Sequence, residues 1–358
     1  MNYRWYERLA ALDISTAGTY PLDIKGSDPI TALMIQVRVT NTTGTVLGPS
    51  DLAIKRIKIM DGSTVIFSGK GISLVPYHFY NIGKEPHLAN TFTENSSNVM
   101  TAFIPFGRHL FDQEYGLDTS RFKNLSIEIE HNAQLAGVPT IATATLEIYA
   151  LMFDEKTPTF KGYLNMKEIY AYVLTDSSVR YVPIPVDHTL RSLMVQSRAT
   201  GKNMTSQFNQ LKLREDADKH VIFDESTAVL AKLLYPQPAF REYLSGKTGA
   251  GSQRLHYGYS CYEAHTIANI VESDNGAYTK AAFGPNRDVY CSAALAFDAF
   301  TQGYCPNGMF FIPFGDPKVP EDWFKLRTDQ DLELIVTAGS SVLASSTLEV
   351  LVQQEILY

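Results

Sequence analysis

Apolar and polar residues alternate along much of this chain with a period of two. Ile35, Val37 and Val39 would share one face of a strand, with Gln36 and Arg38 on the other. Leu125-Ser126-Ile127-Glu128-Ile129-Glu130 alternates cleanly, and residues 52–59 do so in part. Segments 143–153 and 345–356 are rich in Leu, Ile, Val and Thr, a strand composition. Asn41-Thr42-Thr43-Gly44 and Asp61-Gly62-Ser63 punctuate these runs. Asp61-Gly62 between two apolar stretches predicts a hairpin. Helical signals are confined to short pieces. Ser226-Thr227 caps 228–234, and 239–244 predicts another turn or two. The corresponding helix at 72–82 is interrupted by Pro76.

The pattern occurs twice. Leu33-Met34-Ile35-Gln36-Val37-Arg38-Val39-Thr40 matches Leu193-Met194-Val195-Gln196-Ser197-Arg198-Ala199-Thr200, five of eight positions being identical at an offset of 160. Ile57-Lys58-Ile59 matches Leu211-Lys212-Leu213, and Val65-Ile66-Phe67 matches Val221-Ile222-Phe223. Phe103-Ile104-Pro105-Phe106-Gly107 matches Phe311-Ile312-Pro313-Phe314-Gly315, and Thr145-Leu146-Glu147-Ile148 matches Thr347-Leu348-Glu349-Val350. Five matches in one order mark an internal repeat. The offset steps from 156 to 208 between the third and fourth, so the second copy carries roughly 50 extra residues between Phe223 and Phe311. Each copy reads as about eight strands with a helical excursion in the middle. The predicted fold is all-β: two tandem eight-stranded jelly-roll β-sandwiches in one chain, with short helices in loops. The expected divisions are an N-terminal arm or helix at 1–19, a first jelly roll at 20–155, a linker at 156–165 and a second jelly roll at 166–358. A long inserted loop is expected at about 235–308.

Composition narrows the function classes. Charged residues make up 19%, below the usual quarter, as in chains that bury much surface against other chains. A net charge of −7 argues against a dedicated nucleic-acid binder. No run of eighteen apolar residues predicts a transmembrane helix, and the first residues lack the apolar core of a signal peptide. Cys261, Cys291 and Cys305 are too few for a disulfide framework. A Cys291–Cys305 bridge and buried thiols both remain open.

Candidate chemistry is sparse. No two histidines are spaced as His-x-His. His256, Cys261 and His265 lie close together, but at no standard zinc spacing. Ser245-Gly246-Lys247-Thr248 carries the end of a phosphate loop, but Arg241 stands where its first glycine belongs. No Gly-x-Ser-x-Gly elbow occurs. No catalytic, cofactor or metal site is expected.

Two fused jelly rolls with internal helices and one long excursion resemble the double jelly-roll major capsid proteins of tailless icosahedral viruses. That lineage includes membrane-containing bacteriophages and the adenovirus hexon. The resemblance covers the chain from Tyr20 to Tyr358. It implies a non-enzymatic capsid protein of the virion shell, made in the host cytoplasm, that self-assembles as pseudo-hexagonal homotrimers. Its implied partners are itself, neighbouring capsomers, minor capsid or penton proteins and an internal membrane. The alternative is a two-domain jelly-roll protein that binds or cleaves glycans. The repeated Phe-Ile-Pro-Phe-Gly motif reads as structural. Pro105 and Pro313 should mark strand ends, and Phe103, Phe106, Phe311 and Phe314 should anchor the corner. Trp5, Leu9 and Leu12 fall on one face of a helix beside Arg4 and Arg8, so a short amphipathic helix is expected at the inner surface. It suits a membrane or the underside of a neighbouring capsomer, with the protein contact preferred because the charge is small.

Overall fold

The computed structural model describes residues 3–358 apart from 27, 44–48, 93–95, 137–139, 155–157, 198–203, 234–237, 248–252, 257–261, 272–277, 284–287, 292–295, 326–330 and 344–345. At 3, 5–8, 41–43, 92, 136, 140, 247 and the described residues of 253–297 the backbone alone is described.

The first half runs β1 (Tyr3–Asp13), β2 (Gly18–Asp23), β3 (Ile30–Thr43), β4 (Ile54–Asp61), β5 (Thr64–Gly69), α1 (Gly71–Ile82), β6 (His87–Phe92), β7 (Ser97–Pro105), β8 (Leu125–His131) and β9 (Thr140–Phe153). Its strands pair in the orders β1-β9-β3-β7 and β2-β8-β4-β5, the two sheets of a jelly roll. The alternation read from the sequence is realised. Ile35, Val37 and Val39 are buried while Arg38 is exposed, and β8 alternates buried and half-buried along its length. The Asp61-Gly62 turn joins β4 to β5, with Gly62 at φ 58°.

The second half runs β10 (Gly162–Val173), β11 (Val179–Ile184), β12 (Thr189–Gln196), α2 (Met204–Gln207), β13 (Phe208–Glu215), β14 (His220–Ser226), α3 (Thr227–Leu233), β15 (Phe240–Lys247), β16 (Gln253–His256), β17 (Tyr262–Val271), β18 (Tyr278–Phe283), β19 (Asp288–Cys291), β20 (Ala296–Tyr304), β21 (Met309–Pro313), β22 (Leu332–Ala338) and β23 (Thr347–Leu357). The orders β10-β23-β12-β21 and β11-β22-β13-β14 repeat those of the first half. Each of the five sequence matches includes strand residues in equivalent places, on β3 and β12, β4 and β13, β5 and β14, β7 and β21, and β9 and β23, with 198–200 outside the described residues. Even the register repeats. Leu33 lies opposite Ile104 and Leu193 opposite Ile312. Strands β7 and β21 both end at the proline of the motif.

Three expectations give way. Residues 3–13 form strand β1, not a helix, so the first sandwich begins at Tyr3 rather than at residue 20. Two bulges in its pairing with β9, between Arg4 and Glu7 and between Arg8 and Ala10, disturb the period of two and leave an accidental helical spacing. The second sandwich likewise begins at Gly162, inside the expected linker. The excursion at 235–308 is not a loop. It contains β15–β20, and 239–244 falls in or beside a strand where a helical turn was expected. Strand β15 pairs in parallel with β6, so β20, β17 and β18 extend the sheet of the first roll. Tertiary pairing overrides local propensity there.

Each sandwich has its own core. The second is drawn from residues 174–352 alone. The first also takes in Phe240, Leu244 and Ala299 at the base of the inserted strands, and Met309 and Phe311 of β21.

Candidate functional site: the seam between the two rolls

Helix α1 lies where the rolls meet. Its sequence, Gly71-Ile72-Ser73-Leu74-Val75-Pro76-Tyr77-His78-Phe79-Tyr80-Asn81-Ile82, is buried almost throughout. Leu74, Val75 and Phe79 pack into the first core, while Ser73, Tyr77, Tyr80 and Asn81 reach the second roll. Gly83 ends the helix at φ 77°, the left-handed cap that glycine adopts without strain.

Pro76 explains how the seam is wired. A proline inside a helix cannot donate to the carbonyl four residues earlier, here that of Ile72. That oxygen accepts instead from Gln196 Nε2 at 3.2 Å and Asn307 Nδ2 at 2.9 Å, both from the second roll. Ser73 Oγ donates to Gln196 Oε1 at 2.7 Å, so the Gln196 amide is held from both ends. One turn on, Gln353 Nε2 donates to Tyr77 Oη at 3.3 Å and Asn81 Oδ1 at 3.2 Å. Arg191 Nη1 donates to Asn81 Oδ1 at 2.5 Å and Gln353 Oε1 at 2.6 Å. Lys70–Glu349 at 2.5 Å and Arg56–Glu168 at 2.6 Å are ion pairs across the seam. Backbone continuity joins them, for β5 meets β10 in parallel with Phe67 opposite Met166.

Burial sets the electrostatics. The His78 imidazole is pushed down to about 4 by desolvation, and its Nδ1 accepts from Phe103 N at 2.8 Å, so it is neutral. Burial raises the Glu349 carboxyl above its ordinary value, outweighing the Lys70 ammonium that pulls the other way. Burial likewise raises the Tyr77 phenol. Each has its own partner: Phe103 N for His78, Lys70 for Glu349, and Pro105 O and Gln353 for Tyr77. Directional hydrogen bonds of this kind fix one angle between two bodies.

The repeated motif flanks the same helix. Phe103 lies 5.4 Å from the His78 ring, and Phe311 stacks on Tyr80 at 4.8 Å. Ile104, Pro105 and Phe106 are buried, Phe103 is half-buried, and Phe314 stacks on Phe324 at 5.2 Å. Gly315 has φ 76°, and a Cβ there would meet Asp322 O at 2.4 Å. Gly107 has no positive φ but the same crowding, with Tyr115 O 2.6 Å from such a Cβ. Ile312 and Pro313 are half-buried.

The N-terminal candidates are not gathered on a helix. Arg4 is ion-paired with Asp28, and Leu9 and Leu12 pack partly buried against the first core. The side chains of Trp5 and Arg8 lie outside the described residues, as do those of His256, Cys261, His265 and Cys291. Cys305 is buried in the second core. Among the described residues no three His, Cys, Asp or Glu side chains are grouped to hold a metal. In the cleft beside β11 and β22, where an acid would serve glycan chemistry, Glu333 is taken by Arg214 at 2.7 Å.

Sequence reading missed Arg191, Gln196, Asn307 and Gln353. One signal was present. Gln353-Gln354-Glu355 breaks an apolar run in what is otherwise a core strand. Gln196 gave none, because its repeat partner Gln36 lies in a similar Leu-Met-x-Gln-x-Arg context and merely bonds Thr101 at 3.1 Å within its own sheet.

No family model and no curated protein matches this sequence. Solved structures do match its fold. The STIV MCP superposes with a TM-score of 0.61 at 11% identity, covering 99% of this chain and 96% of its own. The PBCV-1 virus capsid protein gives 0.54 at 9% identity, covering 98% and 93%. Major capsid protein P2 from bacteriophage PM2 gives 0.52 at 10% identity, covering 98% of each chain. The chain has the fold of the double jelly-roll major capsid proteins.

Proposed function

We propose that this chain is the major capsid protein of an icosahedral virus, a structural building block of the virion without enzymatic activity. The observation that carries the reading is the likeness to three capsid proteins over nearly the whole of both chains. The polar seam supports it, since a shell subunit needs a fixed angle between its two rolls.

Extending that seam to a second copy supports a trimer as the assembly unit. In the first roll α1 is walled in by the second roll. In the second roll α3 follows β14 as α1 follows β5, and it presents Val229 and Leu233, 42% and 66% exposed. A head-to-tail contact closes a ring when its rotation is a whole fraction of a turn, one third for a trimer. The first roll of the next copy then covers α3, and three chains supply six rolls. Neighbouring capsomers and minor penton proteins complete the shell, and the chain is made in the host cytoplasm.

Sedimentation of the purified protein tests this reading, with a trimer of the 39.9 kDa chain as the expected species. Val229→Asp combined with Leu233→Asp should give folded monomers. Electron microscopy should show pseudo-hexagonal capsomers. A wild-type monomer that forms no particles would overturn the proposal.

A further inference from the structure

Arg191 occupies an unusual place. It sits at the bulge between Leu190 and Ser192 in the pairing of β12 with β23, and only 2% of the residue is exposed. A bulge re-aims the side chain it carries. Its Nε donates to Pro317 O at 2.8 Å, and its Nη1 serves the Asn81 and Gln353 amides. All three partners are neutral. Among the described residues no carboxylate pairs with it. Asp112 and Asp316 act on it through their charge without contact, Asp112 paired with Arg108 and Asp316 at the exposed rim. Asp112 is clamped by Arg108 at 2.7 and 2.8 Å, and Asp316 accepts from Lys318 N at 2.9 Å.

The fold does not require a charge at this point. The equivalent bulge of the first roll, between Ile30 and Ala32, carries Thr31. Each residue's carbonyl accepts from the second phenylalanine of its motif, Phe106 or Phe314, at 3.0 Å. A neutral residue therefore serves the same backbone geometry. Burying a guanidinium without a counter-charge is costly, and the group remains a cation at neutral pH, lowered by burial only to about 10.

Arg191 lines a cleft of about 320 Å³ beside the C-terminal end of α1, together with Tyr80, Asn81, Arg108, Asp316 and Lys318. Its Nη2 makes no hydrogen bond to a described residue, and it is not among the fully enclosed unpartnered atoms. The one guanidinium nitrogen left over is thus the one that is not sealed in. Lys318 supplies a second cation at the exposed rim.

We propose that this cleft binds a small oxyanion, a phosphate or a carboxylate, on Arg191 with Lys318 closing the rim. Planar guanidinium suits both groups. The bound anion supplies the direct ionic partner that Arg191 lacks among the described residues and braces α1 against the second roll. The inference is independent of the capsid reading.

Inorganic phosphate, acetate and a short peptide with a free α-carboxylate are each titrated against the full chain at constant ionic strength. Melting temperature and heat of binding are the readouts. A saturable rise in melting temperature with at least one of them is expected, because a ligand held by the folded state stabilises it. A response to phosphate alone identifies phosphate or a phosphorylated group, whereas a response to acetate and peptide identifies a chain terminus. Arg191→Met should abolish it. Should that variant not fold, Lys318→Glu, at an exposed position, should bind roughly tenfold more weakly. No saturable response to any probe would overturn the proposal. So would a response that survives unchanged in whichever of these variants folds.

Discussion

The first roll surrounds its helix and the second does not. Helix α1 is pressed between two cores and bonded to both, whereas α3, in the same topological place, turns apolar side chains outward. Their strands pair in the same order and register, so the difference does not lie in the sandwich. It lies in what each roll does with the helix after its fifth strand. One helix makes the internal seam, and the other leaves Val229 and Leu233 uncovered by the described residues. A single architecture thus gives one buried helix and one exposed helix, the surface on which the proposed trimer contact rests.

The largest expected effect contrasts the two motif corners. Phe106→Ala should cost about 3–5 kcal/mol, since the ring is 1% exposed and deep in the first core. Phe314→Ala should cost less, its ring being 8% exposed and held on one face by Phe324. Denaturant midpoints decide it, and equal losses would mean that the corners are anchored alike. Next comes the seam. Lys70→Met leaves the buried Glu349 carboxylate without its ammonium, at a cost of about 3 kcal/mol near neutral pH. That loss should shrink on acidification, as Glu349 becomes neutral and needs no partner.

The pH dependence of stability probes the helix itself. The folded His78 value, about 4, lies below its unfolded value near 6.5. Between them the unfolded chain binds more protons, so stability falls as pH drops from 6.5 towards 4. The size of this contribution is about 3 kcal/mol. His131, also lowered by burial, adds in the same direction, and Glu349, raised, partly opposes. His78→Gln, which keeps an acceptor for Phe103 N, should flatten the slope, and an unchanged slope would assign it elsewhere. A smaller loss is expected from Gln196→Leu, about 1–3 kcal/mol, because Ser73 loses its acceptor and Ile72 O keeps only Asn307. Lys58→Ala, at the half-buried Lys58–Glu128 pair on the outer face of its sheet, should stay within about 1 kcal/mol. A greater cost there would blur the line between seam and surface.

The repeat was legible because matched strands keep matched neighbours. Leu33 and Leu193 face Ile104 and Ile312, so similar packing selects similar residues. Strand β1 was not legible, because its bulges break the alternation that sequence reading relies on. The inserted strands were missed for another reason. Their base is fixed by parallel pairing between Leu244 and Asn90, residues far apart in the chain, and no local pattern encodes a distant partner. The seam was hardest to see. Gln196 and Asn307 look like ordinary polar strand and turn residues, and their role depends on a carbonyl that Pro76 frees elsewhere.

The pairing of β6 with β15 has a consequence for the order in which the molecule is built. A chain leaving the ribosome completes every strand of its first sandwich by Phe153, yet the edge at β6 stays open until β15 and β20 have been translated. Open strand edges recruit other strands, and nascent chains on the same message lie close together. A fragment ending near residue 160 leaves both the β6 edge and the β5 edge unpaired, and it should therefore aggregate through them. The full-length chain escapes that fate only after the insertion has emerged. Codon usage or chaperone supply across residues 154–304 would then govern soluble yield more strongly than the stability of the finished fold.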